Sequence, residues 1–141
     1  MFTAGGRLFG CEISAVREII PIREATRLPG APEFVLGLIN LRGMVVTVVD
    51  LVRRFGGAPA DPVDGSIIVV DFGTRAVGLA VDAMRDVQGV RPRTVETGAL
   101  ATAGLPASVI RGMADTTEGL AILLDVGAVL RQVMSSAEGE S

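Results

Sequence analysis

A mainly β chain made of two similar subdomains is predicted by three observations. Apolar, β-branched runs of five to seven residues recur along the 141-residue chain. Glycine-bearing or polar turns separate them, as in strand-rich folds. The third observation is an internal echo: RLFGCEISAVREIIPI (7–22) aligns without gaps on RAVGLAVDAMRDVQGV (75–90). That register pairs Arg7 with Arg75, Gly10 with Gly78, Ala15 with Ala83, Arg17 with Arg85 and Ile19 with Val87. Further on, FVLGLINLRGMVVTVVDLV (34–52) is echoed by VIRGMADTTEGLAILLDVG (109–127), which places Gly37 on Gly112 and Asp50 on Asp125. Many short strands with turns between them suggest small barrels or a sandwich. Each half alone has a thin core, so the two are expected to pack against one another.

The elements follow in order. Arg7 to Ile22 reads as two strands. Pro29 and Pro32 then bound the entry to an apolar segment that ends in the polar turn Asn40-Leu41-Arg42-Gly43. Met44 to Val49 (MVVTVV) is nearly continuous in hydrophobicity, which suits a strand buried on both faces. Asp50 follows directly and precedes Leu51-Val52-Arg53-Arg54, so it reads as the N-cap of a short helix and not as a catalytic acid. Arg53 and Arg54 sit where cations favour the helix dipole, and Gly56-Gly57 supply a left-handed stop. The segment 56–65 (GGAPADPVDG) is a surface loop; its Asp61 to Gly65 lacks the ligand spacing of a calcium loop, and Phe72 stands where a bidentate Glu is needed. Ser66 to Asp71 and Ala76 to Asp82 form a hairpin across Phe72-Gly73-Thr74-Arg75. Leu120 to Leu124 repeats the earlier strand, and Asp125 caps a C-terminal helix reaching Val133. The expected organisation is one domain over 1–134, with approximate halves 1–60 and 66–134 and a disordered polar tail at 135–141.

Composition removes whole classes of function. All thirteen basic residues are Arg, and the chain contains no Lys, His, Tyr or Trp. Without His there is no imidazole base, no Ser-His or Cys-His pair and no imidazole metal ligand. Without Lys there is neither a Gly-Lys phosphate loop nor a Schiff-base nucleophile. The lone Cys11 cannot build a thiolate zinc site or an internal disulfide, which fits a reducing compartment. A net charge of −3 and five Phe as the entire aromatic set argue against nucleic-acid binding. No apolar run approaches the roughly 18 residues of a membrane span, and no leader-like segment precedes the first strand. The expectation is a cytoplasmic protein that is no enzyme and needs no cofactor or metal.

The repeat also isolates what only one half possesses. Asn40-Leu41-Arg42-Gly43 has Asp115-Thr116-Thr117-Glu118-Gly119 in the corresponding place. Asn40 and Gly43 are explained by turn geometry, because both tolerate left-handed backbone. Nothing in the turn requires Arg42. Its local reading is a solvated surface residue.

Taken together, VREII (16–20), the Pro29–Pro32 entry, GLINLRGMVVTVVDLVRRFG (37–56) and AVGLAVDAMRDV (76–87) resemble the CheW family of bacterial chemotaxis over nearly the whole chain. The resemblance implies two five-stranded β-barrels packed face to face, with short helices and a C-terminal helix. It implies a non-enzymatic adaptor joining the cytoplasmic tips of chemoreceptors to the regulatory domain of a CheA-type histidine kinase, recruited to membrane receptor arrays without inserting into the membrane. The residues matching family positions important for coupling are Val16, Glu18, Gly37, Asn40, Arg42, Gly78, Met84 and Val87. Simpler readings stand beside several of them. The repeat puts a glycine at the place of Gly37 and Gly78 in both halves, Val16 lies on an apolar hairpin, and Glu18 recurs as Asp86. Arg42 is unmatched by the repeat and is the first candidate. Two alternatives remain: an adaptor for a non-flagellar chemosensory pathway (pili, development), and a β-barrel binding a small ligand.

Overall fold

The computed structural model describes residues 1–4, 7–54, 65–85, 107–117 and 119–139. Among these residues ten strands run in the order β1 (Phe2–Ala4), β2 (Arg7–Gly10), β3 (Val16–Pro21), β4 (Val35–Leu41), β5 (Met44–Asp50), β6 (Ser66–Phe72), β7 (Arg75–Val81), β8 (Ala83–Met84), β9 (Ile110–Thr116) and β10 (Gly119–Leu124). Helix α1 (Leu51–Arg54) follows β5, and α2 (Val126–Gly139) ends the chain. Among the described residues no helix is long and apolar enough to cross a membrane.

The strands form two five-stranded sheets, ordered β8-β1-β2-β10-β9 and β3-β6-β7-β5-β4. Read position by position, the two orders are the same. In each, a hairpin (β1–β2 or β6–β7) joins a second hairpin (β9–β10 or β4–β5) through one parallel pair, β2 with β10 or β7 with β5. The sequence repeat is therefore a structural one, with β2 equivalent to β7. The irregularities repeat as well. Register shifts at Leu36 on β4 and at Arg111 on β9, each followed by a positive-φ glycine, Gly37 or Gly112.

Three expectations need correction. The subdomains are not the sequential halves 1–60 and 66–134. β3 leaves β2 and joins the other sheet as its edge, and β8 leaves β7 and does the reverse. The second sheet is thus a continuous central block from Val16 to Val81, while the first is assembled from both ends of the chain. Nor are the barrels closed among the described residues, where no ladder joins β3 to β4 or β8 to β9. Finally, α2 runs to Gly139 through a stretch expected to be a disordered tail. Ala137 and Glu138 are good helix formers, and nothing in the sequence stops the helix before Gly139. The loop expected at 56–65 lies, apart from Gly65, outside the described residues.

The caps read from sequence are present. Asp50 is 1% exposed, and its Oδ1 accepts from the Arg53 amide at 3.1 Å. Asp125 does the same for the Ala128 amide, also at 3.1 Å. The 73–74 turn has Gly73 at φ 62°, matching the type II′ preference for glycine at the first central position.

Two apolar clusters organise the packing. One lies inside the curl of the second sheet and contains Ile20, Ile39, Leu41, Val46, Val48, Ile67, Val69, Ala76 and Ala80. The larger one joins the two sheets and α2: Ile68, Val70, Leu79 and Val49 meet Phe2, Phe9, Met113, Ile122, Val129, Leu130 and Val133. β6 alternates between these clusters and is buried on two faces. β5, expected to be buried on both, buries Val46 and Val48 on one face but on the other leaves Val45 exposed and only Val49 in the inter-sheet core.

Gly37 allows a close backbone crossing. Thr26 and Leu38 exchange two backbone hydrogen bonds of 2.8 Å, which lay the 26–27 segment over β4. A Cβ on Gly37 would stand 2.1 Å from the Thr26 carbonyl oxygen, and φ is 136°. Backbone cannot yield there as a flexible side chain could. Gly37→Ala is expected to lower stability by about 2 kcal/mol or more. Gly30, also at positive φ (78°) but with nothing within 4 Å, is the control. Gly30→Ala should cost only the backbone strain of about 1 kcal/mol. Urea titration of the two variants checks the difference; equal midpoints would contradict the crossing argument.

Candidate functional site

The β4–β5 hairpin closes with two central residues, Arg42 and Gly43, between the paired Leu41 and Met44. Both have positive φ, 52° and 85°, the pattern of a type I′ turn, whose first central position usually carries Asn, Asp or Gly. Arg42 is the one non-glycine residue with positive φ among the described residues. The preceding residue, Asn40, holds the turn: its Oδ1 accepts the Gly43 amide at 2.8 Å.

From this tip Arg42 crosses to the far edge of the sheet. Its Nη2 donates to Glu18 Oε2 on β3. A second contact spans the same gap, Arg17 Nη1 to Met44 Sδ at 3.4 Å, and the same Arg17 nitrogen reaches Asp71 Oδ1 at 3.2 Å. β3 and β4 are opposite edges of the sheet, so strand curl brings the edges together and side chains close what the backbone leaves open. Arg17, Met44 and Asp71 were not singled out from sequence. Arg17 carried only a repeat match to Arg85, and contacts between opposite sheet edges have no local signature.

Arg42 remains 70% exposed although it is paired, whereas Glu18 is 23% exposed. The guanidinium therefore keeps donors free toward solvent, oriented by a largely buried carboxylate beneath it. Asn40 is exposed beside it, and Val45, opposite Asn40 in register, is 62% exposed. Ile19, next to Glu18, is 47% exposed. This surface carries the Arg42 guanidinium, the Asn40 amide and the apolar Val45 side chain, with Arg17 spanning the same gap.

The other candidates lie elsewhere. Gly37 and Gly78 are buried and flank Val48 in one row across the sheet, with Gly37 paired to Val48 and Val48 to Gly78. A Cβ on Gly78 would lie 2.6 Å from Ile67 Cγ2 and 3.3 Å from Val48 Cγ2. Both glycines are packing positions within the sheet, and any bearing on a partner would pass through the backbone they shape. Val16 is half-buried against the inter-sheet core. Met84 is half-buried on the edge strand β8 of the other sheet, opposite Phe2. Val87 lies outside the described residues. Asn40, Arg42 and Glu18 are thus the members that the fold brings together.

Among the described residues the exposed large hydrophobic side chains are Ile13, Ile19, Val45 and Leu120. Leu120 stands opposite Asp115, as Val45 stands opposite Asn40, so both hairpin tips expose the same apolar position.

Cys11 is half-buried against the inter-sheet core, and burial pushes its thiol above the ordinary value, with the N-terminal ammonium opposing and Glu12 adding. The protonated thiol is the form the fold favours. Alkylation by iodoacetamide at pH 8 should accordingly be slower in the native protein than in urea. Equal rates would contradict it.

With this geometry in place, comparisons with known proteins give a consistent picture. The family model for the CheW-like domain matches residues 1–134. A probable chemotaxis protein CheW of Rhizobium etli is 33% identical over 137 residues, covering 96% of this chain and 88% of that protein. The chemotaxis protein CheW of Klebsiella aerogenes is 29% identical over 131 residues, covering 92% and 79%. Among solved structures, the scaffolding protein CheW of Thermoanaerobacter tengcongensis superposes with a TM-score of 0.71 at 28% identity, covering 89% of this chain and 81% of that one. Protein PilI of Pseudomonas aeruginosa is 32% identical over 89 residues, 62% of this chain and 49% of that protein.

Proposed function

Because the chain belongs to the CheW-like domain family, we propose that it is a non-enzymatic adaptor of chemosensory signalling, joining chemoreceptor cytoplasmic tips to the regulatory domain of a CheA-type histidine kinase. The observation that carries this reading is the family match over residues 1–134, and the R. etli and K. aerogenes relatives are both chemotaxis proteins. The exposed turn fits the role. Receptor tips are helical, and a guanidinium fork at the rim of a contact can engage a carboxylate or the carbonyls at a helix end. Val45, opposite Asn40 in register, offers apolar area at the same hairpin tip.

Arg42 is the leading contact residue, Glu18 orients it, and Asn40 adjoins it. Val16, Met84 and Val87 belong to the proposal as surrounding positions, and the buried Gly37 and Gly78 act through packing. The protein works in the cytoplasm, gathered to receptor arrays through its partners and not through lipid. Similarity to PilI supports a second reading, the same adaptor role in a pathway with pili as its output.

The test is a binding assay with two immobilised probes, a receptor-tip fragment and a kinase regulatory domain from the same organism. Saturable binding to both, with a ternary complex when all three are mixed, is the expected result. Binding to neither would remove the adaptor reading.

A further inference from the structure

We propose that Asn40 is a positioning residue: it acts on coupling by fixing the backbone conformation that presents Arg42, and not by touching a partner. The inference rests on Arg42 as the coupling residue. Three observations lead to it. Arg42 occupies a left-handed conformation (φ 52°) that disfavours a side chain with a Cβ and is occupied chiefly by Gly, Asn and Asp. Arginine stands at this position against local preference, so something must hold it there. Asn40 supplies a hold from within the turn, its Oδ1 taking the Gly43 amide at 2.8 Å, a donor that the Leu41–Met44 end of the ladder leaves outside.

The other half supplies the comparison. Asp115 occupies the register position of Asn40, facing Leu120 as Asn40 faces Val45. Thr117 there replaces Arg42, and neither it nor Thr116 has positive φ. At that tip the Thr116 hydroxyl donates to the Gly119 carbonyl at 2.6 Å. The left-handed conformation at the first central position is thus particular to the tip that carries Arg42. The Glu18 contact then fixes the guanidinium end of a side chain whose backbone end Asn40 has set.

The experiment uses the full chain as Asn40→Ala, Asn40→Asp, Arg42→Ala and Asn40→Ala/Arg42→Ala. Two quantities are read: amide hydrogen exchange at Gly43 and the affinity for an immobilised receptor-tip fragment. Asn40→Ala should speed Gly43 exchange and weaken binding by about fivefold. Asn40→Asp, which keeps an acceptor oxygen at the same place, should restore both. In the Arg42→Ala background, Asn40→Ala should cause no further loss of affinity. An undiminished loss in that background would mean that Asn40 contacts the partner itself, and would overturn the proposal. So would unchanged Gly43 exchange in Asn40→Ala. If Arg42→Ala alone binds as wild type, the coupling reading of Arg42 fails and takes the functional half of this inference with it. Gly43 exchange distinguishes that failure from failure of the clamp.

Discussion

Arg42→Ala is expected to fold as the wild type does and to bind receptor tips roughly thirtyfold more weakly, the loss typical of removing an interface arginine worth about 2 kcal/mol. Folding should survive because the turn does not need this side chain. The Asn40 clamp and the flanking ladder remain. The ion pair with Glu18 is a surface pair, of the kind that contributes at most about 1 kcal/mol. Arg42→Asn sharpens the argument, since Asn suits the left-handed position better than Arg. Its melting temperature should equal or exceed the wild-type value while binding is still lost. Arg42→Lys keeps the charge and loses the planar fork, so it should recover only part of the affinity. Titration calorimetry against a receptor-tip fragment, with a thermal melt of each variant, checks all three. Wild-type affinity in Arg42→Ala would refute the assignment.

The largest effect on the fold is expected at Val48. It is 1% exposed and sits between Gly37 and Gly78 in one row across the second sheet. Val46, Ile67 and Val69 share its cluster, and none of them can pair a carboxylate. Val48→Asp forfeits about 2 kcal/mol of apolar burial and places an unpaired charge in that interior at a cost of several more. Against a total stability of about 5–15 kcal/mol, the loss removes most of the margin. The variant should lack a cooperative circular-dichroism transition, or melt at least about 15 °C lower. A wild-type melt would show that the interior of this sheet is not the dry cluster described above.

How much the sequence disclosed differs by level. Local chemistry was legible: the Asp50 and Asp125 caps, the β5 strand and the 66–81 hairpin all follow from residue type and spacing. The repeat was legible too, and it marks β2 and β7 as equivalents. What the repeat could not disclose is that β3 and β8 change places between sheets, because an edge strand is chosen by long-range pairing and alignment reports only likeness. Equal halves were the natural division of a repeat, and the exchange of edges made that division wrong. Closure of the second sheet by Arg42–Glu18 and Arg17–Met44 was hidden for a related reason. Those residues are far apart in the chain and in the strand order, and only curl unites them.

The candidate site divided along physical lines. Arg42 stood out because nothing local required it, and the positive φ strengthens that contrast. Gly37 and Gly78 were drawn in by family position, yet their place in the sheet is a matter of close approach. Asn40 had two readings in the sequence, turn former and contact residue. The hydrogen bond to Gly43 supports the first and leads to its proposed role behind Arg42.

The most direct test of the adaptor role is reconstitution of kinase control. Purified protein is mixed with a cognate CheA-type kinase and receptor tips, and ATP-dependent autophosphorylation is followed. Stimulation that requires this protein, and that falls with Arg42→Ala while Arg17→Ala folds and is compared alongside, is the predicted result. Kinase activity indifferent to the protein, with all components folded and at saturating concentration, would contradict it.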